Sequence, residues 1–143
     1  MDDSPGIHDN EILLRRIPPG NTIAREEGGD RPESWRLQPR QREDGASCHR
    51  LAFASPQNVL NDLERQGHDT AGWTICAIRV ADVRAVGLDV VVVEHGNLPG
   101  HCEIRPPVGA NVGKKAFSKL AKKCRILTSE EVSCMNAGDS IDI

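Results

Sequence analysis

Apolar positions along this chain come in short blocks set between polar, glycine- and proline-rich stretches, and the spacing within each block predicts an element. ILLRRI, residues 12–17, reads as a first strand that Pro18-Pro19-Gly20 ends at once, because proline supplies no ladder N–H. SCHRLAF, residues 47–53, and WTICAIRV, residues 73–80, read as further strands, and ADVRAVG as one or two helical turns ending at Gly87. LDVVVVEH, residues 88–95, is the strongest strand signal, since consecutive β-branched residues suit a central strand covered on both faces.

Between the strands the period changes to that of a helix. In SPQNVLNDLERQG, Ser55 is a natural N-cap, Pro56 takes the first helical position, Val59, Leu60 and Leu63 share a face, and Gly67 closes the end. In GKKAFSKLAKKC, Phe117, Leu120, Ala121 and Cys124 line one face and the lysines the other. RILTSEEV reads as a last short strand. These elements predict one α+β domain over residues 11–133: a mixed sheet of about five strands, with helices at 55–66 and 113–124 on one face. Residues 1–10 and 134–143 are expected to be loose tails, and residues 20–46 a long loop with one short extended piece near WRLQP.

Length and charge narrow the class. The 143 residues fit one domain, and a net charge of −3 argues against a general nucleic-acid binder. Five cysteines without a CxxC pair, and no signal-like start, fit a reduced cytoplasmic setting; no segment has the apolar length of a membrane span.

Three places could carry chemistry. The first is HGNLPGHCEI, residues 95–104. If His95 and His101 bracket a five-residue turn, pairing sets Glu94 opposite Cys102 and Val93 opposite Glu103, and the two histidines face each other. With Cys48 and His49 as suppliers of further ligands they could hold zinc, although Cys102 alternates away from His101 and no standard zinc spacing is present. Polar residues at a solvated hairpin mouth explain the histidines more simply. Cys48-His49 and His101-Cys102 are adjacent pairs, and a working dyad such as Cys48 with His101 needs adjoining strands.

The second place is GANVGKK, residues 109–115. It departs from a Walker A loop in glycine spacing, in lacking Ser or Thr after the first lysine, and in having prolines where the strand should be. What survives is a basic helix face of Lys114, Lys115, Lys119, Lys122 and Lys123, able to meet a phosphate, a nucleic-acid backbone or an acidic partner surface, or to be simply solvated.

The third is a trio in chain order: Arg15 or Arg16 on the first strand, Ser47 opening a later one, and Glu103 in the hairpin. The order resembles ADP-ribosyltransferase-like domains. That resemblance implies an arginine holding a dinucleotide such as NAD, a serine on the nicotinamide side and a glutamate on the ribose, with Arg16, Ser47, His101 and Glu103 as catalytic candidates. The sequence departs from the family's Ser-Thr-Ser triplet, with ASC, and from its Glu-x-Glu pair, with HCE. More broadly, the succession LLRRIPP, DGASCHR, the capped helix, GWTICAIRVADVRAVGLDVV, PGHCEI and a basic helix is similar to small bacterial α+β proteins over residues 11–128. Lacking a complete catalytic motif, the chain is expected to be a cytoplasmic binding or accessory protein with a protein partner and no cofactor. A nucleotide- or NAD-using transferase is the alternative, and a zinc-binding protein a further one.

Overall fold

A computed structural model describes residues 6–26, 28–33, 45–93, 98–107 and 114–143. Eight strands and four helices lie among them: β1 Ile12–Ile17, β2 Thr22–Ala24, β3 Asp30–Pro32, β4 Ala46–Arg50, α1 Pro56–Arg65, β5 Thr74–Arg79, α2 Val80–Ala85, β6 Asp89–Val92, β7 His101–Arg105, α3 Lys114–Lys123, β8 Arg125–Ile126 and α4 Ser129–Cys134. Six strands form one sheet in the order β6-β7-β4-β1-β5-β8, and β2 pairs with β3 in a small hairpin. The domain is α+β, as the pattern predicts.

The sheet differs in detail from the expectation. Every pairing is antiparallel, and there are six strands where about five were expected. The strand–helix–strand run β4-α1-β5 suggests a parallel crossover, and β4 and β5 do point the same way. Because β1 lies between them and opposes both, no parallel pair forms.

Alternation divides the side chains between two cores. On one face Leu13, Ile17, Cys48, Cys76, Ile78, Cys102 and Ile104 pack under α2 and α3 through Val80, Val83, Phe117 and Leu120. On the other, Ile12, Leu14, Leu51, Ile75 and Ala77 pack under α1 and α4 through Val59 and Val132. The helices at 55–66 and 113–124 therefore cover opposite faces, not one. The cause is in β1 and β5, whose consecutive apolar residues are buried on both sides and need cover on both. Leu13 and Leu14, fully buried on opposite faces, each contribute about 1.5–3 kcal/mol by leaving water.

The valine run is not central. Among the described residues β6 ends the sheet, and Val91 and Val92 are 38% and 43% exposed. Its register with β7 sets Val91 opposite Glu103 and Val92 opposite Cys102, two residues from the expected pairing, and Val93 N–H donates to the His101 carbonyl. The connection is thus longer than GNLPG; a two-residue shift preserves which face each side chain takes.

The ends are tied down as well. Ile7 is buried in the first core, and the Gly138 N–H donates to the Leu51 carbonyl while Ile141 and Ile143 pack on the second. The expected tails are docked from Ile7 onward and through the C-terminal residues. RILTSEEV contains only the two-residue β8; Thr128 and Glu131 then form a reciprocal capping box that starts α4. Of the expected loop, residues 22–24 and 30–32 are the small hairpin; WRLQP falls outside the described residues.

Candidate functional site

The three strands that carry the arginine–serine–glutamate trio are immediate neighbours, in the order β7-β4-β1. Alternation then decides which side chains share a face. Arg16 lies on the α1 side with Ile12 and Leu14, its Nη1 3.9 Å from Asp62 of α1. Ser47, His49, His101 and Glu103 lie on that same face, with Ser47 directly opposite Glu103 and His49 opposite His101.

Arg15 points to the other face, yet its Nη1 donates to the Ser47 carbonyl at 2.7 Å. This contact marks where β1 and β4 part. Their ladder holds only at Leu13–Arg50 and Leu14–His49, and beyond it the guanidinium takes a carbonyl that a strand would otherwise pair. At the start of β4 the backbone instead presses against β7: a Cβ on Gly45 would meet Arg105 Cγ at 2.5 Å and the Ile104 carbonyl oxygen at 2.8 Å. Glycine at this position lets the chain lie close over Glu103 and Arg105.

His101 organises the polar face. Its Nδ1 is 2.8 Å from the Val93 carbonyl oxygen, and its Nε2 is 2.6 Å from Ser47 Oγ. The carbonyl only accepts, so Nδ1 carries the hydrogen, and in the neutral ring Nε2 accepts from the serine hydroxyl. A hydroxyl, a base and a group orienting the base is the arrangement that activates a nucleophile or fixes a hydroxyl's direction. The His49 ring meets His101 edge-on with centroids 5.3 Å apart, and both histidines are buried. Glu103 is gripped by Arg105, whose Nη2 lies 2.6 Å and Nε 2.8 Å from Oε1.

The remaining sequence candidates separate from this group. Cys48 faces the opposite core, so the cross-pair Cys48–His101 and a zinc set of Cys48 with His49 and His101 are both ruled out by strand alternation. Burial pushes the Cys48 thiol up to about 12, and the Cys102 and Cys124 thiols above their usual range. The expected facing of His95 and His101 is replaced by Val93 across the hairpin; His95 itself lies outside the described residues. Among the described residues no three His, Cys, Asp or Glu side chains are grouped to hold a metal ion. Lys115, Lys119, Lys122 and Lys123 are exposed on α3, on the face away from Ser47; the Lys114 side chain and residues 109–113 lie outside the described part.

The Ser47–His101 bond and the His49–His101 contact were not visible in the sequence, since the partners stand 54 and 52 residues apart. Alternation within β4 and β7 could have placed Ser47 and His49, or His101 and Glu103, on one face each; only the sheet order joins the two pairs. Comparison with known proteins returns no matching family model, curated protein or solved structure. No helix among the described residues is long and apolar enough to cross a membrane.

Proposed function

We propose that the protein is a nucleotide-using transferase of ADP-ribosyltransferase-like type, with Arg16, Ser47 and Glu103 facing the ligand. The observation carrying this reading is the adjacency of β1, β4 and β7, which puts the three on one side of the sheet with Ser47 and Glu103 on a single rung. By the resemblance, Arg16 would engage the phosphates of NAD, Ser47 the nicotinamide side and Glu103 the ribose. The bond between ribose and nicotinamide breaks with its electron pair leaving on the base, and an acceptor hydroxyl or amine takes the ribose carbon. Arg105 holds Glu103 in position, and Asp62 lies 3.9 Å from Arg16 Nη1.

The test is nicotinamide release from NAD, followed by chromatography with and without an acceptor protein mixture. Release by the native protein that disappears in Glu103→Gln, with melting unchanged, supports the reading. Absence of both NAD binding in calorimetry and nicotinamide release overturns it.

A protein-binding role is the second reading, favoured by the exposed Val91 and Val92 on β6, which ends the sheet among the described residues. Such an edge can accept an added strand from a partner. Val92→Lys should then abolish capture of that partner and leave nicotinamide release untouched.

A further inference from the structure

Independently of the NAD reading, we infer that Ser47 is a nucleophile with His101 as its base, and that the pair hydrolyses neutral esters whose alcohol is a good leaving group. Both ring nitrogens of His101 are in use. The Val93 carbonyl accepts the Nδ1 hydrogen at 2.8 Å, which leaves Nε2 with the lone pair, and Nε2 stands 2.6 Å from Ser47 Oγ. This is the geometry in which an oriented base removes a hydroxyl proton as the oxygen attacks. The two residues are unequally exposed: His101 is 7% exposed, so the base is shielded from water, whereas Ser47 is only half-buried. His49 packs edge-on against the imidazole, and Arg15 donates to the Ser47 carbonyl at 2.7 Å, so ring and main chain are both held.

In the first half of the reaction Ser47 Oγ bonds to the ester carbonyl carbon and its proton passes to Nε2. The bond to the alcohol oxygen then breaks, and the alcohol leaves with that proton. Water repeats the exchange on the acyl-serine, which releases the carboxylic acid and restores the Ser47 hydroxyl. Two features define the substrate. The group orienting His101 is a neutral carbonyl, and a carboxylate there would stabilise the imidazolium further, so the leaving group must depart with little help. Glu103, opposite Ser47 and held by Arg105, sets a carboxylate beside the acyl position and so favours a neutral acyl group.

The experiment treats the native protein with diisopropyl fluorophosphate at about pH 8, where an imidazole is ordinarily neutral, and maps the product by peptide mass spectrometry. Attack by Ser47 forms the oxygen–phosphorus bond and expels fluoride, the proton passing through Nε2 to solvent. Ser47 should be modified about a hundredfold or more faster than the exposed Ser133, whose hydroxyl donates to the Glu130 carbonyl. His101→Gln should bring Ser47 down to the Ser133 rate. p-Nitrophenyl acetate then tests turnover: the native protein should hydrolyse it faster than buffer, and Ser47→Ala should not. Modification of Ser47 no faster than of Ser133, undiminished modification in a folded His101→Gln, or equal hydrolysis by native protein and Ser47→Ala overturns the inference. The contrast between two serines of one molecule decides even where a variant does not fold. Neither probe contains a nucleotide, so failure here and failure of the NAD reading are read separately.

Discussion

Strands β4 and β7 share four rungs, and the two sides of that ladder are built from opposite chemistry. On one side Ala46, Cys48, Cys102 and Ile104 are sealed, none more than 1% exposed, against aliphatic side chains from α2 and α3. On the other, Ser47, His49, His101 and Glu103 form a hydrogen-bonded polar row with two half-buried members. A strand's period of two makes such a division possible without any extra element. It also separates the ladder's own nucleophiles. The ladder's two thiols, Cys48 and Cys102, better nucleophiles in general, lie where burial disfavours the thiolate, whereas the weaker hydroxyl lies where a histidine can direct it.

Breaking the polar side should cost activity and little stability. Ser47→Ala and Glu103→Gln are expected to lower nicotinamide release by about a hundredfold or more, equivalent to roughly 3 kcal/mol of lost transition-state stabilisation, while the melting midpoint of each variant stays within a few degrees of native. Steady-state kinetics beside calorimetric melting checks this. Activity retained in both variants would mean that the row is architectural, and the comparison between the two sides would lose its functional half.

Breaking the sealed side should do the reverse. Cys48→Ser sets a hydroxyl among aliphatic side chains and should destabilise by about 1–3 kcal/mol in urea unfolding with turnover nearly unchanged. Thiol labelling gives an independent measure of the same seal. Native protein should titrate one fast thiol, Cys134, with Cys48, Cys76, Cys102 and Cys124 reacting only as the protein unfolds. Fast labelling of Cys48 or Cys102 in the native state would show that the ladder opens on the side described as closed.

Much of this division was written locally and could be read. The Ser55–Pro56 start of α1 is as expected, with Ser55 Oγ accepting from the Asn58 N–H, and the α1 and α3 stripes pack as their periods imply. The capping residues Thr128 and Glu131 were present too, but the preceding apolar RIL gave them the look of a strand. What was not legible was nonlocal. Four valines predict a strand buried on both faces, whereas burial depends on which neighbours the sheet provides, and β6 has β7 on one side only among the described residues. The candidate residues Arg16, Ser47, His101 and Glu103 could each be named; that His101 reaches Ser47, and faces His49 in place of His95, follows from β7 lying beside β4. Hairpin length alone moved the β6–β7 register by two and left the faces correct, whereas the trio shares a face because β7, β4 and β1 are neighbours.

The face that carries Ser47 has two parts, the polar β4–β7 row and the apolar part over β1 and β5 on the side of α1 and α4, and Glu131 tests whether they are independent. Its carboxylate bonds the Arg125 guanidinium at 2.8 Å through both oxygens and accepts from the Thr128 N–H, anchoring the first turn of α4. The Arg125 hydrogen bonds, helped by the cap, lower its pKa to about 2 from an ordinary 4.5. Because the folded-state value is depressed, the stabilisation is fully present above the unfolded value and fades as pH falls from there toward 2. Glu131→Gln should therefore cost about 1 kcal/mol at pH 7, and its stability should converge with that of the native protein near pH 2. Turnover at neutral pH should not move, since α4 packs against α1 and into the second core through Val132, a core that contains none of the β4–β7 polar row. A loss of turnover in this variant would mean that the apolar part transmits its order to the polar row through β1, making the arginine strand a shared support and not a boundary between the two.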